Sequence, residues 1–317
     1  MGVYIRRRLL QMIPLLLGIT VIIFAIIQAA PGGPEGVFFE TGRFIDPAMI
    51  EAFRHRLGLD QPVYIQYIRW LGAALTGDLG ISYTTARPVL TMITERLPAT
   101  LELMGISFVF AALVALPLGI YSAVRQYSVF DMSVTTLSFL GIAMPVFWFA
   151  LILQLFFSVQ LHWLPTSGRV TVGDASLIDQ FKHLILPGIV LSLRQIAGWS
   201  RYMRSSVLEV VRSDYIRTAR SKGLSERAVL IRHAVKNAMI PVVSIMALDL
   251  AGLFSGAVIT ETVFGWPGIG RLFVQSMGLR DYPVLMGILL MGSFMVVFFN
   301  LAADIIYGKL DPRITYQ

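Results

Sequence analysis

The chain contains no cysteine, and its four histidines stand far apart, at positions 55, 162, 183 and 233. Without cysteine there is no disulfide, no thiolate metal site and no cysteine nucleophile. Without a close pair of histidines the spacing of a histidine-rich metal centre is missing too. Charged residues are also scarce, at 14% of the chain. We therefore expect this chain to hold no metal ion and no cofactor of its own.

Long apolar runs are what the sequence has in abundance. Hydrophobic residues make up 56% of its 317 residues, and its mean hydropathy is +0.71, which is far from the balance of a soluble domain. A helix needs about 20 apolar residues to cross a membrane. The chain therefore has room for several crossings and for no large soluble domain besides. The composition predicts an all-α integral membrane protein in contact with the lipid bilayer.

Six apolar runs have the length of a membrane-spanning helix. The first follows three arginines at positions 6 to 8, and it is longer than the apolar core of a signal peptide, so we expect an uncleaved first helix. The six predicted helices lie at about 9–30, 103–124, 134–159, 184–203, 239–260 and 284–307. Prolines inside or at the ends of these runs mark either kinks or helix starts, namely Pro117, Pro145 and Pro187.

Charge is distributed unevenly between the segments that join these runs. From Arg201 to Lys236 there are nine basic residues against three acidic ones, a net charge of +6, which is nearly all of the +7 of the chain. From Pro31 to Ala99 there are six basic residues against seven acidic ones. Positive residues accumulate in cytoplasmic connections, so the first segment is predicted inside the cell and the second outside. Six crossings then place both termini in the cytoplasm.

The outer segment, residues 31–95, is long for a loop and has helical patterning of its own. Its apolar residues recur at the spacing of one helix face, at Tyr64, Ile65, Ile68, Leu71 and Leu75. We predict a small helical cap on the outer surface, between the first and second membrane helices. Two roles stay open for it, which are shielding the helix bundle and receiving a ligand.

The basic segment Asp214–Pro241 is predicted to fold as a hairpin of two short helices. The first arm has an apolar stripe at intervals of three or four residues, formed by Leu208, Val211, Tyr215 and Ala219. Gly223 ends this arm, after a last turn whose cations suit the negative end of the helix dipole. Ser225 is placed to cap the second arm. The stripe of the second arm is Ala228, Ile231 and Val235.

Three functions compete for such a hairpin. A DNA-binding helix-turn-helix shares the basic charge and the glycine turn, but it would be trapped between membrane helices without a domain core, so nucleic acid is not an expected partner. A second function is that the arginines bind anionic lipid headgroups and fix the topology. This function does not require two helices joined by a glycine. A rigid element that docks into a cytoplasmic partner and passes its motion to the spans uses both the charge and the shape.

Several motifs along the chain resemble one transporter family. Around the hairpin glycine stand RTARSKG at 217–223, RHA at 232–234 and NAMIP at 237–241. Elsewhere stand RLPATLEL at 96–103, MPVFW at 144–148, ETVFGWPGIG at 261–270 and LDPR at 310–313. Together they resemble the permease subunits of binding-protein-dependent ABC importers, and the first group resembles their cytoplasmic "EAA" loop.

The peptide and nickel branch of that family, with the dipeptide and oligopeptide permeases of the B type, is the most similar. In the loop the Glu-Ala-Ala letters are replaced by Arg217, Thr218 and Ala219, and the proline lies further from Gly223 than in sugar-type members. The peptide and nickel branch shares both departures. No detailed contact is therefore carried over from a sugar permease.

The resemblance implies the type I ABC importer permease fold. In that scheme residues 1–30 form the N-terminal membrane helix and 31–95 the external cap. The permease core is 96–307, its coupling loop is 204–238, and 308–317 is a cytoplasmic tail.

The resemblance also implies a function and partners. The chain would be a permease subunit in a bacterial inner membrane that moves dipeptides or oligopeptides by alternating access, and not itself an enzyme. A second related permease would complete the pathway, two ATPase subunits, identical or different, would drive it, and an external binding protein would deliver the substrate. Nickel, glutathione and sugars stay open as substrates. The sequence has no G-x-x-x-x-G-K-[ST] phosphate loop, so ATP and magnesium are expected on the partner ATPases.

In such an importer the hairpin would sit in a cleft of the ATPase and follow its closure on ATP. Short helices suit this task because they move as rigid bodies. Gly223 is the predicted pivot. The residues expected around it at the coupling site are Arg217, Ala219, Arg220, Lys222, Arg227 and Arg232.

Three ionisable residues fall within the predicted membrane helices, where charges are costly and often functional: Arg194, Asp249 and Asp304. A proton-coupled secondary transporter is the alternative function, with Asp249 and Asp304 as proton carriers and Arg194 as counter-charge. Hydrogen bonding between helices or between permeases is the other role open to them. A membrane-embedded enzyme is disfavoured, because no paired carboxylates, histidine cluster or serine-histidine pair stand at a workable spacing.

Overall fold

The computed structural model of the chain describes residues 2–29, 51, 55, 58, 60–174 and 176–310, without the side chains of 2–5, 251, 253–256 and 306–310. Residues 31–50 of the predicted cap and 311–317 of the predicted tail lie outside this description. Contacts divide the chain into two units. The central unit contains Leu101–Trp266 with Phe298–Gln317, and the flanking unit contains Gly2–Thr100 with Pro267–Val297.

The described residues are helical almost throughout, and pairing of extended segments among them is limited to two isolated bridges, Ile81–Pro88 and Thr171–Asp174. In chain order the first helices are α1 (Gly2–Ala29), α2 (Val63–Leu75), α3 (Val89–Val124), α4 (Val129–Ala143), α5 (Val146–Leu153, continued by a π-helix at Gln154–Gln160) and α6 (Leu177–Val211). They are followed by α7 (Asp214–Ser221), α8 (Glu226–Ala228), a π-helix at Val229–Val235, α9 (Lys236–Val263), α10 (Ile269–Gly278) and α11 (Tyr282–Leu310). The all-α class expected from the composition is confirmed for these residues.

Four of these helical stretches are long and apolar enough to cross a membrane. They are Arg6–Ala29, Val89–Val124, Glu226–Leu250 and Tyr282–Ile305, and the bent pair α4 and α5 makes a fifth if the two count as one span. Helix α6 is long enough, at 35 residues, but it is not among the stretches that pass on apolarity, since Arg194 and Arg201 interrupt it. Six spans therefore stay a prediction.

The predicted span at about 134–159 is broken near its middle, at Pro145, where a kink and a helix start were both open. The chain bends by 107° between α4 and α5, at Met144 and Pro145. Met144 has extended backbone, with φ −77° and ψ 125°, which is the conformation that a following proline imposes. Pro145 is the N-cap residue directly before α5, so this proline marks a helix start and not a mild kink.

The core of the central unit packs α3, α6 and α9 around Trp199 and Met203, which are both fully buried. Gly119 of α3 lies at the closest point of this packing. A Cβ there would stand 2.5 Å from the backbone oxygen of Ser200 and 2.7 Å from Cβ of Met203. Real Cβ atoms do not approach backbone so closely, so only glycine allows α3 and α6 to pack at this distance.

In the flanking unit α2 packs on α1 through an aromatic cluster. Phe24 lies 5.4 Å from Tyr67 and 5.9 Å from Trp70, measured between ring centroids, and Thr20 and Tyr67 share a hydrogen bond of 2.9 Å. The packed face of α2 is therefore Tyr67 and Trp70. The apolar stripe expected for the cap lies elsewhere on this helix, because Tyr64, Ile68 and Leu75 are exposed.

A second feature of the flanking unit is the turn that precedes α3, which is fastened to the start of α11 by Asp281. This fully buried carboxylate accepts hydrogen bonds from Ser82 Oγ at 2.5 Å, Thr84 Oγ1 at 2.7 Å and the amide of Tyr83 at 3.1 Å. Burial and the neighbouring carboxylate raise the pKa of Tyr83 to about 12. We call these four residues the Asp281 clamp.

Candidate functional site

The first arm of the predicted hairpin is α7, and it starts a new helix instead of prolonging α6. The two helices are separated at Arg212 and Ser213, where Ser213 has extended backbone with φ −74° and ψ 151°. Because the helical phase restarts at Asp214, the expected stripe through Tyr215 is wrong. Tyr215 is exposed, and Ile216 is the fully buried residue of this arm.

The arm ends at Gly223, as the sequence predicts. Gly223 has φ +77°, in the left-handed region that favours glycine, and its amide donates to the carbonyl of Arg220 at 2.9 Å. A Cβ there would meet no heavy atom within 4 Å. The turn therefore requires glycine for its backbone conformation and not for space.

The second arm begins where Ser225 caps it, because the hydroxyl of Ser225 accepts a hydrogen bond from the amide of Ala228 at 3.4 Å. It then continues as the π-helix Val229–Val235. A π-turn holds more residues than an α-turn, so the spacing of buried positions changes. Val229 and Ala234 are buried, five residues apart, whereas Ile231 of the expected stripe is exposed.

The two arms share a small apolar core that also includes the end of α6. Its buried members are Ile216, Ala219, Val229 and Ala234, packed against Val210, Val211 and Leu230. Fully burying a side chain such as Ile216 stabilises the fold by about 1.5–3 kcal/mol. The hairpin is therefore packed firmly onto α6 and does not hang from it as a free loop.

The cations expected at the coupling site lie on the outside of this core. Arg217, Arg220, Lys222, Arg227 and Arg232 are all exposed. Ala219 is the exception, since it is buried in the hairpin core and serves the packing.

Two ion pairs involve these exposed cations. Arg220 donates from Nε to Glu226 at 2.9 Å, and so links the two arms across the glycine turn. Arg217 lies 3.8 Å from Asp214, with both side chains more than 80% exposed. Pairs as exposed as these contribute little to stability, so both arginines stay available to a partner.

An open cavity of about 350 Å³ lies between the hairpin and the ends of α3 and α6. Apolar side chains make most of its lining, with Arg220, Glu226 and Arg227 at the hairpin side. The cavity is bounded by the hairpin, by α6 and by the end of α3.

The three predicted intramembrane groups occupy different surroundings. Asp249 of α9 accepts a hydrogen bond from the indole of Trp199 of α6 at 2.7 Å. Arg194 of α6 is exposed, and Asp304 of α11 is half-buried. For Asp249 the observed contact is one between helices.

The central unit also contains a buried ion pair that was not predicted from the sequence. Asp131, in the first turn of α4, is 3% exposed and accepts two hydrogen bonds from Arg204 of α6, at 2.6 and 2.8 Å. It also accepts from Ser122 Oγ and from the amide of Tyr127. We call these four residues the Asp131 joint. A serine three residues before an acidic residue at the head of an apolar run signals such a helix start, and Ser128 and Asp131 fit that signal.

Long apolar helices with a cationic helical hairpin packed onto one of them define a class of protein, a multi-pass helical membrane protein with an exposed basic hairpin. Comparison with known proteins gives the family. Residues 115–316 match the family model described as binding-protein-dependent transport system inner membrane component, and residues 1–104 match the N-terminal model of the same transport systems. The chain belongs to this family of inner membrane transport components.

Curated relatives match over nearly their whole length. The oligopeptide transport system permease protein AppB of Bacillus subtilis is 45% identical over 318 residues, with 100% of both chains covered. The di/tripeptide transport system permease protein DppB of Pseudomonas aeruginosa is 41% identical, and the dipeptide transport system permease protein DppB of Escherichia coli K12 is 39% identical, each with 99% of both chains covered. None of these relationships supports the proton-coupled alternative.

Solved structures of ABC transporters share the fold. An inward-facing structure of the MetNI methionine ABC transporter matches with a TM-score of 0.57 at 16% identity, covering 70% of this chain and 97% of that one. A crystal structure of an amino acid ABC transporter with histidines matches with a TM-score of 0.53 at 13% identity, covering 69% and 94%. At these identities the likeness establishes the fold alone.

Proposed function

We propose that the chain is the permease subunit of an ATP-driven importer of dipeptides or oligopeptides, working by alternating access. Relatives at 39–45% identity over their full length carry peptide transport in their names. The hairpin is the observation in the structure that carries the proposal. It presents exposed cations on a packed apolar core joined to a long helix, which is the arrangement needed to take up force from outside the membrane.

The proposed architecture is the type I permease fold with six spans. Four apolar stretches and the bent pair α4 and α5 supply five, and the crossing in the third stretch, Glu226–Leu250, is made by α9 beyond the coupling loop. Helix α6 is the sixth, because its 35 residues exceed the length of a span and its arginines can face protein or the interface. Residues 31–95 form the outer cap, and both termini are cytoplasmic, in keeping with the charge of the connections.

The coupling loop 204–238 docks into the ATPase, with Gly223 as its pivot. The contacts are made by Arg217, Arg220, Lys222, Arg227 and Arg232, and Ala219 holds the core beneath them. ATP and magnesium bind to two ATPase partners, so this chain is a transport subunit and not an enzyme. A second related permease and an external binding protein complete the assembly.

Transport is tested with the complex in proteoliposomes, with labelled dipeptide and oligopeptide as substrates. Uptake is expected to require ATP and the binding protein, and to persist after ionophores collapse the pH gradient and the membrane potential. Uptake that follows the gradient and ignores ATP would replace this function with the proton-coupled one through Asp249 and Asp304. Competition by nickel, glutathione and sugars narrows the substrate class.

Docking is tested by Gly223→Val, with Gly173→Val as the matched control. Both glycines have a left-handed backbone, with φ +77° and +91°, and a Cβ at either would meet nothing within 4 Å. The local strain is therefore similar, at about 1–2 kcal/mol. Gly223→Val is expected to lose ATPase co-purification and uptake, while Gly173→Val keeps co-purification. Equal behaviour of the two variants would contradict docking through the hairpin.

A further inference from the structure

The Asp131 joint collects three elements of the central unit at one carboxylate. Asp131 belongs to α4, Arg204 to α6 and Ser122 to α3. One carboxylate oxygen accepts from Arg204 Nε and Ser122 Oγ, and the other accepts from Arg204 Nη2 and from the amide of Tyr127. The carboxylate thus accepts two hydrogen bonds at each of its oxygens, which uses all of its lone-pair sites.

The geometry of the joint is that of a rigid connection. A planar guanidinium that bonds to both oxygens of a carboxylate fixes the orientation of the two groups as well as their distance. Tyr127, in the turn between α3 and α4, has φ 65°. A residue other than glycine keeps this conformation only where its surroundings hold it, and Asp131 binds its amide.

The same stretch of α6 is held from a second side. A Cβ added at Gly119 of α3 would lie 2.5 Å from the backbone oxygen of Ser200 and 3.1 Å from the backbone nitrogen of Arg204. Helices α3 and α6 are therefore in close backbone contact at the level of Arg204. A displacement of α6 is shared by the elements that meet at Arg204.

Helix α6 also connects the joint to the hairpin. Six and seven residues after Arg204, Val210 and Val211 pack into the hairpin core with Ile216 and Val229. At a rise of about 1.5 Å per residue the two contacts lie roughly 10 Å apart along one continuous helix. A force on the hairpin is therefore carried along α6 to Arg204.

We propose that Asp131 and Arg204 are a positioning pair that transmits movement of the hairpin to α4, the first half of the bent pair. The pair touches neither ATP nor peptide. It couples ATP hydrolysis to transport by making α4 follow α6. This inference rests on the proposed function, since it takes the hairpin as the point where the ATPase acts.

The test uses the assembled importer and measures the coupling ratio, peptide taken up per ATP hydrolysed. Asp131→Asn keeps the shape and removes the charge, and its coupling ratio is expected to fall about tenfold, the equivalent of losing a hydrogen bond to a charged group. Arg204→Lys keeps the charge without the two-pronged contact and should show a smaller loss.

Glu102→Gln is the matched control, because the pair Arg169–Glu102 has the same 2.6 Å distance in the same unit and does not contact the hairpin. Its coupling ratio should equal that of the unaltered complex. An unchanged coupling ratio in both Asp131→Asn and Arg204→Lys overturns the proposal. A fall in uptake that is explained entirely by a smaller amount of assembled complex overturns it as well. The outcomes of the two proposals can be told apart. Docking of the hairpin is judged from ATPase co-purification, whereas the role of the Asp131 joint is judged from the coupling ratio of complexes that have assembled.

Discussion

Asp131 in the central unit and Asp281 in the flanking unit are both buried carboxylates, and they are satisfied in different ways. Asp131 in the central unit is 3% exposed and faces the guanidinium of Arg204, 73 positions along the chain. Asp281 in the flanking unit is 0% exposed and accepts from the neutral hydroxyl groups of Ser82 and Thr84 and from backbone amides. One site is an ion pair between helices, and the other fastens a turn.

The difference determines what each site can do. A buried ion pair is costly to open, because each charge loses its partner in a medium that hardly solvates it. Neutral donors leave no charge behind, and hydroxyl groups can turn to new partners. Both sites also hold a residue other than glycine with positive φ, Tyr127 beside Asp131 and Arg280 beside Asp281. The central unit thus has a charged joint between helices, and the flanking unit has a neutral clamp.

Asp131→Ala is expected to have the largest effect on stability. It leaves Arg204 without its buried partner, and the free energy of unfolding should fall by about 3 kcal/mol, the lower end for a broken buried pair. The lower end applies because the Arg204 side chain is 25% exposed. Chemical denaturation in mixed micelles measures the change. A loss no greater than that of Glu102→Gln would remove the distinction between the joint and an ordinary ion pair.

Gly119→Ala tests close packing inside the central unit, and Gly287→Ala tests it inside the flanking unit. At Gly119 the added carbon meets the Ser200 backbone at 2.5 Å, whereas at Gly287 it meets the Val89 side chain at 2.7 Å. A side chain can turn aside and a backbone cannot, so Gly119→Ala should cost about 2–3 kcal/mol and Gly287→Ala about 1 kcal/mol. Thermal unfolding of both variants under one condition gives the order. The reverse order would show that α3 and α6 separate more easily than their spacing indicates.

Asp131→Asn and Asp281→Asn test the role of charge at each site without changing the shape. The amide at 131 opposes a guanidinium, and a loss of about 2 kcal/mol is expected, whereas at 281 rotating hydroxyls can adapt and about 1 kcal/mol should be lost. Denaturation curves of the two variants at neutral pH decide this. Equal losses would mean that the cation adds nothing to the Asp131 joint.

Glu226→Gln should have the smallest effect. Its partner Arg220 is 43% exposed and Glu226 itself 74% exposed, so the ion pair across the hairpin turn is screened by water. Less than about 0.5 kcal/mol of stability should be lost, while ATPase co-purification is retained. A loss comparable to that of Asp131→Asn would show that the hairpin depends on this surface pair.

The sequence predicts some parts of this protein well, for physical reasons that can be stated. Gly223 and Ser225 act within a few residues of chain, so the turn and the cap of the hairpin follow from local chemistry. The apolar stripes are wrong at Tyr215 and Ile231, because they assume an unbroken α-helix. The chain restarts its helix after Ser213 and widens it from Val229 onward.

Other parts depend on partners far apart along the chain. Asp131 alone signals a helix start, and Arg204 alone counts toward the positive charge of a connection. Nothing local joins them, since the contact exists only after α3, α4 and α6 have packed. The bend at Pro145 lies between these cases, because the proline was visible as a kink or a helix start and only the packed chain shows which.

The π-helix Val229–Val235 has a consequence for changes in chain length. Deleting one residue from an ordinary α-helix turns everything beyond the deletion by about 100°. A π-turn already contains one residue more than the α-helix around it. A single deletion there would close the turn into regular helix and leave both flanks facing the directions they face now. This short stretch at the root of the hairpin is therefore where the chain can lose a residue at least cost to the orientation of α9.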